Sequence, residues 1–148
     1  ISEQDRGSAV RVAANGGHLE VLRYLLNGGH QISEEDRGMA VTFAALGGHL
    51  AVVRHLLNGG QISQAHRKSA VERAALGGHL EVLRYLLPEG HQLSQADRGE
   101  VVTFAALGGH LEVLRYLLPA GQQISQLHRG LAEVRAASRG HLEVVRYL

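Results

Sequence analysis

The sequence predicts an all-α fold, a solenoid of five stacked helix–turn–helix units, and three observations support this prediction. The tripeptide Gly-His-Leu occurs five times, and successive copies lie 30 or 31 residues apart. A Ser that follows Ile or Leu recurs at the same interval, and each interval holds two helical patterns separated by a Gly-containing turn. A repeat of this length is typical of solenoids, in which each unit buries its apolar faces against its neighbours.

The repeats divide the chain into one array. We predict a single domain over 1–148, with units at 1–31, 32–61, 62–92, 93–123 and an incomplete 124–148. Because packed helices lie about 10 Å apart, five units would form a rod roughly 50 Å long. The sequence starts without a Met and stops within a helical pattern, so we interpret it as a portion of a longer protein.

The first helix of each unit is predicted to begin after the recurrent Ser. Ser33 and Asp36 have the spacing of a capping box, in which the hydroxyl caps the helix and the acid reaches back to the Ser amide. His66 and His128 replace the acid in two units, which predicts weaker caps there. In the second unit this helix is predicted near 34–46, where a Gly pair ends it.

The second helix is predicted over 49–58 in the same unit. In the first unit Glu20, Arg23 and Asn27 form one narrow polar stripe, so most of this helix is predicted to be buried. Glu and Arg three residues apart also predict an exposed ion pair in four of the units. The Ala44-Ala45 pair on the first helix lets neighbouring units approach closely.

The second-helix sequence at 17–26 and 78–87 resembles that of an ankyrin repeat, and the Ala pair matches the first helix of that family. The resemblance extends over the whole chain. It implies that His49 and its equivalents bond loop backbone, and that the face lined by first helices binds other proteins. The family's Thr-Pro-Leu-His is replaced by Met39-Ala40-Val41-Thr42 and its equivalents, and each unit is about two residues short of the usual 33. We therefore expect an ankyrin-like array without the β-hairpin finger.

Composition argues against catalysis. The chain has no Cys, which excludes thiolate chemistry and disulfides, and it has no Gly-rich phosphate loop with its Lys. The recurrent Ser residues are predicted to cap helices, and the carboxylates are scattered. We predict that the protein is not an enzyme and takes no cofactor.

A metal site and a membrane span are not expected either. The recurrent imidazoles would lie about 10 Å apart, which is too far to share a zinc ion bound at about 2 Å. No apolar run reaches the roughly 18 residues of a membrane span. We expect an intracellular location, which includes that of an effector acting in a host cell, as for the short divergent arrays that the chain resembles.

A candidate binding surface emerges from the positions that differ between copies of the first helix. They fall at i, i+4, i+7 and i+11, on one helix face. The predicted partner-binding residues are Arg11, Glu35, Met39, Thr42, Leu46, Ser69, Glu72, Leu76, Glu100, Thr103 and Leu107. Several are too apolar for an idle surface. The competing interpretations are unconstrained solvent exposure, and packing of the three Leu residues between units.

These observations predict a non-catalytic scaffold whose partner is another protein. One alternative is a nucleic-acid-binding array, because Ala14-Asn15-Gly16-Gly17 resembles the base-reading loop of transcription-activator-like effector repeats and a column of Arg could follow phosphates. A formal net charge of +1 argues against it. We predict instead that Arg37 and its equivalents pair with adjacent Asp residues and with helix-end carbonyls of neighbouring units. A second alternative is the targeting module of a larger enzyme.

Overall fold

The computed structural model describes residues 1–27, 30–88, 93–119 and 123–148, and these residues form helices and turns without a strand. The helices of the described residues are α1 (Glu3–Gly16), α2 (Leu19–Leu25), α3 (Glu34–Gly47), α4 (Leu50–Asn58), α5 (Gln64–Gly77), α6 (Leu80–Leu86), α7 (Gln95–Gly108), α8 (Leu111–Leu117), α9 (Gln126–Ser138) and α10 (Leu142–Tyr147). Each unit supplies one pair. Consecutive first helices pack side by side into one layer, and the shorter second helices lie behind it. The all-α solenoid prediction is confirmed.

A Ser side chain caps every first helix, as the sequence predicted. Ser33 Oγ accepts a hydrogen bond from the Asp36 amide at 3.0 Å, and the other four caps are alike. The acids were predicted to reach the Ser amide, but the Asp5 carboxylate accepts from the Ser2 hydroxyl at 2.8 Å, and the Asp36 carboxylate lies 3.3 Å from Arg11 of the preceding unit. His66 and His128 hydrogen-bond the capping hydroxyl through Nδ1 at 3.0 Å. These two caps, which were predicted to be weaker, have a second hydrogen bond at the hydroxyl, as the Ser2 cap does.

The core consists of small and branched apolar side chains that line both helix layers. In the second unit the fully or almost fully buried ones are Ala40, Val41, Ala44, Ala45, Val52, Val53 and Leu56. The second helices are less buried than the sequence predicted, because only one side of each packs against first helices and neighbouring units. In the first unit, which has a neighbour on one side only, Tyr24 is 79% exposed.

In the second to fifth units, a His side chain at the start of the second helix joins its unit to the preceding one. His49 Nε2 lies 3.2 Å from the carbonyl oxygen of Asn15. Gly17 lies beneath this ring in the left-handed conformation, at φ 73°, and a Cβ there would be 2.5 Å from His49 Nδ1. His79, His110 and His141 hydrogen-bond the carbonyls of Leu46, Leu76 and Leu107 in the same way. The loop-bonding role implied by the family resemblance is confirmed.

A column of Arg residues ties the two helices of one unit together. The Arg37 guanidinium donates to the Leu56 carbonyl at 2.8 Å, near the end of α4. The equivalent bonds join Arg67 to Leu86, Arg98 to Leu117 and Arg129 to Leu148. The acceptors belong to the same unit and not, as predicted, to its neighbours. Burial lowers the pKa of Arg37, and a cation at a helix C-terminus satisfies carbonyls that lack helical partners.

We predict that Ser33→Ala lowers the free energy of unfolding by about 1 kcal/mol, because the Asp36 amide loses its capping oxygen. The control is Ser69→Ala, which removes the same hydroxyl from a helix interior and should leave stability equal or slightly higher. Urea denaturation with a shared slope measures both. An unchanged midpoint for Ser33→Ala would show that this cap contributes nothing.

Two helical glycines should respond to Ala in opposite directions. A Cβ at Gly38 would lie 2.3 Å from the His66 ring, whereas nothing lies within 4 Å of one at Gly130. We expect Gly38→Ala to destabilise the array by about 1–3 kcal/mol through overpacking. Gly130→Ala should stabilise it by about 0.5–1 kcal/mol, the usual preference of a helix for Ala. Thermal denaturation distinguishes the two, and equal shifts of the same sign would contradict the close contact at Gly38.

Acid should weaken the stack at His110. Burial lowers the pKa of this imidazole below its ordinary 6.5, with smaller contributions from His79 and His141. As the pH falls through that value, the unfolded chain binds a proton that the folded chain still rejects, so stability falls. We expect His110→Gln to show a shallower loss of unfolding free energy between about pH 7.5 and about pH 5 than the parent. His30→Gln, at an exposed position, is the control, and equal slopes for parent and His110→Gln would refute the assignment.

Candidate functional site

The predicted partner-binding residues lie along one side of the first-helix layer. Glu35 is exposed and the other ten are half-buried. The face is more recessed than an isolated helix face, because first helices pack closely and each of these side chains borders a junction between units. The hydroxyls of Thr42 and Thr103 bond the carbonyls of Gly38 and Gly99 at 2.9 Å, one turn back in their own helices.

Ion pairs bridge two of the four junctions, which we call the charged junctions. Between the first and second units, Arg11 Nε lies 3.3 Å from the Asp36 carboxylate. Between the third and fourth units, Lys68 Nζ lies 3.2 Å from Asp97 and 2.8 Å from Glu100. Both bridges are partly exposed, so they fix side-chain positions more than they stabilise the fold.

The second charged junction carries an excess of carboxylates. A hydrogen bond from Lys68, with another from Ser94, lowers the pKa of Asp97. Burial raises the pKa of Glu72, and the neighbouring Glu100 carboxylate adds to this rise. Lys68 has a raised pKa because it donates to Glu100 and Asp97. One cation is thus surrounded by three carboxylates in the middle of the face.

The other two junctions, α3 with α5 and α7 with α9, we call the apolar junctions. No ion pair spans either of them among the described residues. Between α7 and α9 lies an open groove of about 200 Å³. Its lining residues are Glu100, Thr103, Phe104, Leu107, His128, Leu131 and Arg135. A groove lined by Phe104, Leu107 and Leu131 beside polar side chains can receive an apolar side chain of a partner.

The fifth unit extends the face with exposed apolar side chains. Leu127, Leu131 and Val134 are 71%, 41% and 65% exposed and occupy the same columns as Glu35, Met39 and Thr42. The predicted set ended at the fourth unit and also omitted Phe104, one position beyond a variable column. Leu127, Leu131 and Val134 could have been predicted, because they lie in the variable columns. Phe104 could not, because only the packed structure places it in a groove.

The fixed Arg residues are engaged within the fold. Four of them donate to second-helix carbonyls, so these guanidinium groups do not form a free line along the surface. In the part of the chain that the structure describes, no group of three His, Cys, Asp or Glu residues could hold a metal ion. None of the described helices is long and apolar enough to cross a membrane.

Comparison with known proteins identifies the repeat. The family model for ankyrin repeats, in three copies, matches residues 9–97 and 72–148. No curated protein matches the chain. Ankyrin repeats generally mediate protein–protein interaction and are typically non-catalytic scaffolds. The chain also has paired helices, left-handed glycines after the first helices, and a His bond between neighbouring units. It belongs to the ankyrin-repeat family.

Proposed function

We propose that this chain is a non-catalytic scaffold that binds another protein through the variable face of its first helices, with residues 1–148 acting as one binding domain. The observation that carries the proposal is that the repeat positions with a fixed residue and those with a variable residue have different structural roles. The Ser, Arg, Ala-pair and His columns are used in capping and stacking, whereas the variable columns lie outside the core on one continuous face. A recognition surface requires side chains that differ from unit to unit on a backbone that is the same in every unit.

The composition of the face favours a protein partner over a nucleic acid. Arg37, Arg67 and Arg98 donate to carbonyls of their own units and are half-buried. The middle of the face carries Glu72, Asp97 and Glu100 around Lys68, which would repel phosphates. The groove between α7 and α9, which Phe104, Leu107 and Leu131 line, suits an apolar side chain of a protein. The absence of Cys fits an intracellular setting, which we include in the proposal.

We predict that replacing Met39, Glu72 and Glu100 together (Met39→Ala, Glu72→Gln, Glu100→Gln) reduces partner recovery at least tenfold with the fold intact. The matched control replaces Glu20, Glu81 and Glu112 with Gln on the exposed side of the second helices. The measurement is affinity capture from a cell extract with quantitative mass spectrometry, with circular dichroism on all three proteins. Proteins recovered by parent and control but lost from the face variant are the expected result.

Two outcomes would contradict the proposal. Equal recovery by the face variant and the control would place binding elsewhere. Nucleic-acid affinity that falls with salt at a slope near −4.5, the value for about five phosphate contacts, would favour the nucleic-acid alternative. That affinity should then disappear when Arg37, Arg67 and Arg98 are replaced together.

A further inference from the structure

The fifth unit presents a stripe of exposed side chains that changes from apolar to basic along α9. Leu131, Arg135 and the C-cap residue Arg139 follow one another at intervals of four residues, so they lie on one side of the helix, and all three are exposed. No other unit has two Arg residues in these columns. The fifth unit is also the most basic of the five, with four Arg and two Glu over 124–148.

The two Arg residues of this stripe have no carboxylate partner among the residues that the structure describes. The ion pairs found there use other cations of the chain. Arg135 and Arg139 are like charges one helical turn apart, an arrangement that destabilises a helix slightly. A carboxylate from outside the chain would relieve this repulsion, so the stripe favours an anionic group.

The groove between α7 and α9 lies directly beside the stripe. Phe104 lines it from α7, and Leu131 and Arg135 line it from α9. The lining carboxylate, Glu100, lies 2.8 Å from Lys68 Nζ, so its charge is already paired. The groove therefore combines an apolar lining with one cation that lacks an ionic partner within the described part of the chain.

We propose that the α7–α9 groove binds a segment of the partner protein in which a bulky apolar side chain is next to an acidic one. The apolar side chain lies between Phe104 and Leu131, and the carboxylate lies on Arg135 and Arg139. The inference rests on the proposed function and adds to it the chemistry that the partner presents at this groove.

The charges on either side of the groove decide where the carboxylate of the ligand lies. On the α5 side, three carboxylates already surround Lys68. Arg73 stands on that side too, but its guanidinium lies 6.0 Å from the centre of the Phe104 ring. Its charge also acts on Glu72, since burial raises the pKa of Glu72 and Arg73 partly offsets that rise. The two Arg residues of the stripe have no such competitor, so the carboxylate belongs over α9.

The test uses short peptides, blocked at both ends, on the complete 148-residue chain. The probe has one Leu with a Glu on each side, on a Gly-Ser background. The controls replace the Leu with Ser, both Glu with Gln, or both Glu with Lys. Amide chemical shifts of the ¹⁵N-labelled protein, followed to millimolar peptide, report affinity and location. We expect the Ser peptide to bind about tenfold more weakly than the probe, because the buried Leu is lost. The Gln peptide should bind about threefold more weakly, a difference that high salt removes.

Protein variants check both parts of the proposed site. Leu131→Ser should reduce the affinity of the probe to that of the Ser peptide, whereas Leu142→Ser, the same change at an exposed position of α10, should leave it unchanged. Arg135→Glu combined with Arg139→Glu should reverse the preference, so that the Lys peptide binds more tightly than the probe. Arg115→Glu, at an exposed position of α8, is the control and should retain the preference for the probe. Circular dichroism verifies the fold of each variant.

Equal affinities for the probe and the Ser peptide, shifts that map away from α7 and α9, or no shifts with any peptide would overturn the inference. Binding of the Lys peptide to the parent protein as tightly as the probe would overturn it as well. Affinity capture with the face variant judges the proposed function separately, because that variant retains Leu131, Arg135 and Arg139. A partner lost from the face variant, without any preference among the peptides, would refute this inference and leave the proposed function standing.

Discussion

The hydrogen bond from the second-helix imidazole of units two to five to the preceding unit is the contact on which the rest of the array depends. The end of a helix leaves carbonyl groups without helical partners, and a buried one is costly unless another donor reaches it. The His bonds span 2.9–3.2 Å to Asn15, Leu46 and Leu107. The left-handed glycine beneath each ring leaves room for it and turns the chain into the second helix. One side chain thereby satisfies a helix end and fixes the register of two units.

Once the register is fixed in this way, the first helices are held side by side. The side chains between them can then differ from one junction to the next. The fixed columns face inward or across the stack and carry the packing, with both Ala residues of the pair fully buried in the second, third and fourth units. The columns that remain can change without loss of stacking, because each unit contacts only its neighbours. That freedom allows Arg11, Lys68 and Glu100 to make bridges at some junctions, while Phe104 lines a groove at another.

Local interactions were predictable from the sequence, and contacts between units were not. The Ser caps, the helix ends at glycine and the buried Ala pairs follow from a few neighbouring residues, and the structure has them where they were predicted. The Asp36 carboxylate was assigned to its own cap but lies on Arg11, a residue of another unit. Arg23 pairs with Glu20 at 3.1 Å as expected, whereas Arg84 lies over the Tyr116 ring at 5.8 Å. Spacing along the sequence shows which side chains lie close together in one helix. It does not show which side chain of the neighbouring unit competes for the same contact.

The alternation of charged and apolar junctions is a property of adjacent pairs of units and not of any unit alone. Gly38 and Gly99 receive an imidazole from the next unit, whereas Lys68 stands in the same column and needs the acid Asp97 opposite it. If the third unit were followed by the fifth, Lys68 would face His128 and lose its carboxylate partner at that position. The order of the units is therefore encoded in the same columns that line the face. A surface built this way keeps its charged and apolar junctions in a constant order, since an exchanged unit would disturb the junctions on both of its sides.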